Sequence, residues 1–169
     1  MHVLVSAATK HGATQEIAEA IASEIARHGL TVTVCSPHDV GDVTGYDAFV
    51  VGSAVYAGRW QKPAREMIER CSADMRGHPV WLFSSGPIGD PPAPVADPVD
   101  VEAVMAATGA RQHRVFAGRL QLSTLSFGER AIVAALRAEF GDFRDWDSIR
   151  SWAGEIALAL KPTATTPVA

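Results

Sequence analysis

Apolar and polar positions along the chain change rhythm several times, and each change marks an element. Val3 to Val5 is a short apolar run ending at Ser6, the pattern of a strand buried on both faces. From Thr14 onward Ile17, Ile21 and Ile25 recur at helical spacing. Glu16, Glu19, Glu24 and Arg27 take the wetter positions, and His28-Gly29 supplies a stop. Leu30 to Ser36 alternates as a second strand, and Tyr46 to Tyr56 reads as a third, nearly continuous in its apolar character. Pro63 to Cys71 predicts a helix with Met67 and Ile68 inward, and Pro79 to Ser85 a fourth strand. Val99 to Thr108 predicts a helix closed by Gly109, and His113 to Leu122 a fifth strand. An amphipathic stretch from Phe127 to Phe140 precedes a final helix over Trp146 to Leu160. Between Gly86 and Pro98 the prolines are too dense for a helix or an interior strand, which leaves a stiff loop.

Five apolar strands alternating with helices predict an α/β, three-layer sandwich: a five-stranded parallel sheet with helices on both faces. No repeat and no long linker divides the chain, so residues 1–161 read as one domain and 162–169 as a disordered tail. Composition adds mainly exclusions. The 169 residues carry a net charge of −4 with scattered Lys and Arg, unlike a nucleic-acid surface. Cys35 and Cys71 form no CxxC pair and read as small buried apolar residues. The histidines form no ligand cluster, and no metal is expected. No apolar run approaches the roughly 20 residues of a spanning helix. The first residues lack the basic and apolar regions of a signal peptide, so the expected location is cytoplasmic.

In open α/β sheets ligands bind beyond the carboxyl ends of the strands, where strand order reverses. The loops after strands one, three and four are the compositionally odd ones. The first, Ser6 to Thr14, brings Ser6, Thr9 and Thr14 hydroxyls, Lys10, His11, a single Gly12, Ala13 and a helix N-terminus. Such a terminus carries partial positive charge and unpaired donors, which suits a phosphate. Thr14 followed by Glu16 is also ordinary capping chemistry. The second, Gly52 to Trp60, holds Ser53, Ala54 and Val55, then Tyr56 and Trp60 around Ala57 and Gly58. The two aromatics could wall a flat ring or pack as core. The third offers Ser84, Ser85, Gly86 and Gly89, where backbone could approach a ligand closely, or is a plain crossover. A Walker P-loop fails for want of a Gly-Lys pair, and a dinucleotide fingerprint for want of glycines other than Gly12. A receiver domain fails because the first acid, Glu16, already lies inside the helix. A flat, singly phosphorylated cofactor fits the three loops, and FMN is such a group.

These segments resemble the flavodoxin family, and more closely its branch containing the menaquinone-dependent protoporphyrinogen dehydrogenases. Thr9 to Thr14 is similar to that branch's phosphate loop, and Tyr46 to Trp60 to its second flavin loop, with Gly52 and Gly58-Arg59-Trp60 in matching places. Asp142 to Ala157 is similar to its terminal helix. The similarity spans about residues 2 to 160, with Ala8 where many relatives carry a hydroxyl. Gln121 to Asp145 falls where long-chain members carry an insertion. The resemblance implies a flavodoxin-like fold and FMN as cofactor. It also implies that the Ala57-Gly58 peptide can reorient toward a reduced flavin.

Two functions follow. One is an FMN-dependent oxidoreductase passing electrons between a small organic substrate, protoporphyrinogen-like by the resemblance, and a quinone-like acceptor. The other is a flavodoxin-type electron shuttle serving a redox partner protein. Shuttles tend to be strongly acidic around the flavin, and Arg59 and Lys62 in the second loop tilt the reading toward the oxidoreductase. Leu125, Phe127, Ile132, Leu136 and Phe140 could pack as core or form a partner surface. Arg119, Arg130 and Arg137 fit a solvated face, with a peripheral membrane or an acidic partner as the alternative.

Overall fold

A computed structural model describes residues 1–86, 98, 100–136 and 139–161. Most of the proline-rich loop, Gly89 included, and the predicted tail lie outside the described residues. The chain runs β1 (His2–Ala8), α1 (Ala13–Arg27), β2 (Thr31–Cys35), β3 (Ala48–Tyr56), β4 (Arg59–Trp60) and α2 (Lys62–Met75). It continues through β5 (Val80–Ser85), α3 (Val101–Thr108), β6 (Gln112–Phe116), β7 (Arg119–Leu120), α4 (Phe127–Leu136), β8 (Gly141–Asp142) and α5 (Trp146–Leu160).

The five long strands are parallel and lie in the order β2-β1-β3-β5-β6. This is the doubly wound order of flavodoxin-like sheets, with winding reversed between β1 and β3. Alternating side chains of β1 feed two cores. Val3, Val5 and Ala7 join Ile17, Ile21 and Ile25 of α1 and Ile149, Trp152 and Ile156 of α5 on one face. Leu4 and Ala8 join Met67, Ile68 and Met75 of α2 and Val101 and Val104 of α3 on the other. The sandwich expected from the apolar runs is thus present. α5 begins at Trp146 because the Asp145 carboxylate accepts the N–H groups of Asp147 and Ser148 at 3.1 and 3.0 Å, a side-chain N-cap.

Two expectations change. The predicted fifth strand, His113 to Leu122, is two strands. β6 ends at Phe116, Gly118 O accepts the Phe143 N–H at 3.1 Å, and Arg119–Leu120 turns away to pair antiparallel with Gly141–Asp142. The segment from β7 to β8 is therefore an excursion outside the five-stranded sheet, closed by its own two-stranded pairing. Within it Leu125 is buried, but Phe127 is 91% exposed and Phe140 50%, so core packing does not hold for those two rings. The predicted second loop also holds strand: β3 ends at Tyr56 as expected, and Arg59–Trp60 turns back on it as a hairpin, with Tyr56 opposite Arg59 and Val55 opposite Trp60.

Gly52 is a packing residue. It sits opposite Phe83 in the β3–β5 register, and a Cβ built there would stand 2.2 Å from the buried Phe83 ring. Gly52→Ala should destabilise the fold by about 1–3 kcal/mol through overpacking. Urea unfolding should show a lower midpoint at unchanged slope.

Candidate functional site

At the carboxyl ends of β1, β3, β5 and β6 the chain leaves an open recess of about 160 Å³. Ten of the residues singled out from sequence meet there: Thr9, Lys10, His11, Ala13, Thr14, Ala54, Val55, Tyr56, Ser85 and Gly86. Gly118, Arg119 and Leu120 complete the wall. All three fall inside the predicted fifth strand, with Arg119 expected on a solvated face, so sequence pattern alone does not bring them to the site. The Ala117-Gly118 break was the available signal for a fourth strand end at this edge.

α1 starts one residue earlier than its pattern predicts, on Gly12. Gly12 has φ 83°, donates its N–H to Thr9 Oγ1 at 3.0 Å and accepts the first helical bond from Glu16 N–H at 3.1 Å. Thr14 lies inside the helix, 2% exposed, and does not cap it. No side chain accepts from the first turn, in contrast to α5, so its N–H groups keep the donor capacity that every helix start leaves over. A Cβ on Gly12 would meet nothing within 4 Å. What holds glycine there is its left-handed backbone, not lack of room.

The side-chain alternation of β3 and β5 divides the predicted hydroxyls. Ala54 and Ser85, opposite each other in register, line the recess. Their neighbours Ser53 and Ser84 are fully buried and bonded elsewhere. Ser53 Oγ accepts the Gln61 N–H at 2.8 Å and donates to Ala54 O. Ser84 Oγ accepts the Trp60 indole N–H at 2.7 Å and lies 2.8 Å from His113 Nε2. Trp60 is 2% exposed and belongs to the core with α2 and α3. Its backbone N–H donates to the Asp100 carboxylate. Tyr56 is therefore the aromatic ring that faces the recess, 39% exposed, with Lys10 Nζ 4.9 Å from its centroid. Burial and the nearby Glu129 push its hydroxyl pKa up. Ala57 (φ 49°) and Gly58 (φ 73°) form the hairpin turn outside the lining, both in the left-handed region. Positive φ at both central residues is the I′ pattern of tight hairpins, and a non-glycine residue there costs on the order of 1–2 kcal/mol.

Close approach of backbone marks the far wall. A Cβ on Gly86 would lie 3.3 Å from Val55 Cβ, and one on Gly118 would lie 3.4 Å from Gly86 Cα.

An ion network ties the excursion to α1. The Arg119 guanidinium meets Glu16 with both terminal nitrogens, at 2.8 and 3.0 Å. Arg144, 7% exposed, pairs with Glu16 at 2.8 Å and with Asp142 at 2.6 and 2.7 Å, and donates to Ala13 O at 3.1 Å. Arg119 is thus paired and largely covered instead of forming a solvated face. Burial pushes Glu16 up, but hydrogen bonds from Arg144 and Arg119 outweigh it and hold its pKa below the ordinary 4.5. The Arg144 hydrogen bond likewise holds Asp142 below 3.8.

The chain matches the flavodoxin domain family over residues 4–147. It is 24% identical over 179 aligned residues to the Escherichia coli K12 protein named protoporphyrinogen IX dehydrogenase (quinone), covering 96% of this chain and 99% of that one. Among solved structures, a flavodoxin from the domain Archaea superposes with a TM-score of 0.66 at 17% identity, over 94% of this chain and 98% of that chain. The oxidised flavodoxin 1 of Bacillus cereus gives 0.65 at 14% identity, over 95% and 100%.

Because both carboxylates of the ion network have depressed pKa values, its stabilisation is complete above pH 4.5 and is lost as pH falls through those lowered values. Asp142→Asn should cost about 1–2 kcal/mol at pH 7. Urea midpoints measured from neutral pH downward should converge for wild type and variant as the solution becomes acid. With the family match spanning most of its length, and the sheet order and edge recess in agreement, the chain belongs to the flavodoxin family.

Proposed function

We propose that the recess binds FMN and that the protein is an FMN-dependent oxidoreductase. Its substrate is a small organic molecule of the protoporphyrinogen-like kind and its acceptor is quinone-like. The observation that carries this reading is the uncapped first turn of α1, opening on a recess lined by Lys10, His11, Arg119 and the Tyr56 ring.

The donor set suits the cofactor. First-turn N–H groups of α1, the Thr9 and Thr14 hydroxyls and the Lys10 ammonium fit a single phosphate, whereas a pyrophosphate would need the extra glycines of a dinucleotide loop. Tyr56, Val55 and Leu120 give a flat ring apolar and aromatic surface. Gly86 lets backbone come close to the ring edge. Ser53, Ser84 and Trp60 act one layer back, holding the β3–β4 hairpin through hydrogen bonds to Gln61 and to each other. FMN supplies hydride or single-electron transfer when bound. The chain's own work is to hold the phosphate, cover one face of the ring and shield it from water. With its hydroxyl pKa pushed up, Tyr56 stays neutral at pH 7 and adds no charge beside the ring.

The relative from Escherichia coli carries dehydrogenase and quinone in its name, and its alignment runs through nearly all of both chains. This supports an enzyme with a quinone-like acceptor over a shuttle. Arg59, exposed on the hairpin, also differs from the acidic rim a shuttle presents to basic partners.

The purified protein should be yellow, and mass analysis of the released cofactor should give FMN; an adenine nucleotide would refute the reading. Anaerobic turnover of a porphyrinogen with a soluble quinone separates enzyme from shuttle, since a shuttle would show none. Tyr56→Ala should weaken FMN about three- to tenfold, the worth of one aromatic stacking partner. Trp60→Ala should instead cost about 3–5 kcal/mol of stability, as loss of a buried ring does. Fluorescence titration and urea unfolding of both variants test the division of roles.

A further inference from the structure

Glu129 brings a carboxylate from α4 to the loop between β1 and α1. Its Oε1 stands 2.6 Å from Lys10 Nζ and 3.0 Å from His11 Nε2. Its Oε2 accepts the Ser126 N–H at 2.8 Å, while the Glu129 N–H reaches back to Ser126 Oγ at 3.4 Å. That reciprocal pair is a capping box at the start of α4. One oxygen of the side chain therefore serves its own helix, and the other serves the phosphate loop. The hydrogen bond from Lys10, with those from Ser126 and His11, holds Glu129 well below the usual carboxylate range, so it is ionised.

A phosphate seated on this loop would draw on the same Lys10 ammonium, with His11 beside it in the recess wall. A phosphate monoester carries a charge of about −1.5 to −2 at neutral pH, more than a carboxylate, and the two anions repel at short range. Of the other residues described on α4, Phe127, Gly128, Arg130, Ala131, Ala134 and Ala135 are exposed and Val133 is half-buried.

We propose that Glu129 is a tethered anion that competes with the ligand's phosphate for Lys10 and His11. It makes the loop selective for a doubly charged phosphate, and its displacement releases α4 from the loop. The proposal rests on the FMN reading of the recess for its ligand. A flavin without the phosphate, such as riboflavin, has nothing with which to displace Glu129.

Glu129→Gln tests it, because Gln still accepts from the Ser126 N–H and keeps the capping box while losing the charge. The variant should bind FMN about tenfold more tightly, the scale of one charge-assisted bond regained, while riboflavin affinity stays within about twofold. Hydrogen exchange at the amides of 127–136 gives a second readout. Saturating inorganic phosphate should speed exchange in the wild type, and in the variant exchange should be fast with or without phosphate. Equal FMN affinity in the two proteins overturns the competition and leaves the FMN reading standing. Riboflavin tightening as much as FMN overturns the charge selectivity. If FMN binds neither protein but phosphate still frees α4 in the wild type, the competition holds and the cofactor assignment falls. If neither FMN nor phosphate changes α4 exchange, the proposal is wrong.

Discussion

Right-handed crossovers on a twisted parallel sheet put consecutive helices on one face until the direction of winding changes. Here it changes between β1 and β3. α1, leading outward to β2, packs on the face shared with α5, and α2, leading to β5, packs on the other. The strand ends between these two windings cannot be covered by either connection. A recess at that edge is thus a consequence of chain handedness before any side chain is chosen. The loops that border it are free to carry chemistry because the sheet does not need them for its core.

Among the described residues, polar contacts fasten the excursion from β7 to β8 beside that edge. Arg119 and Arg144 both converge on Glu16, and Arg144 also donates to Ala13 O in the first turn of α1. Positive groups thereby gather close to the helix start, and Arg144 stacks 4.4 Å over Trp146 at the start of α5. An arrangement of this kind couples the geometry of the loop to that of the excursion. A shift in one is felt at the other through charges whose burial makes misalignment costly.

Sequence pattern was sufficient for the sheet and for most helices, because the apolar runs follow from burial of the strands on both faces and the isoleucine spacing of α1 from burial of one helix face. Where it fell short, the missing information was orientation. Ser53 and Ser84 are as polar as Ser85, yet strand alternation turns them into the core while Ser85 faces the recess. For Trp60 sequence leaves ring wall and core packing both open, and the hairpin at Ala57-Gly58 decides for the core by folding it back against β3. Glu129 was beyond reach for a different reason. It lies 118 residues from His11, and no local pattern reports a contact set by the path of an excursion.

The fit of Gly52 beneath Phe83 bears on how this sheet can change over evolutionary time. Any side chain at position 52 collides with the ring, and any smaller side chain at 83 leaves a void in a core where Phe83 is fully buried. A lineage exchanging volume between the two strands must pass through one of those intermediates, each less stable than either end. The two positions are epistatic neighbours with a valley between their compatible pairs. Drift that moves freely over the exposed face of α4 would leave this pair in place unless a stabilising change elsewhere came first.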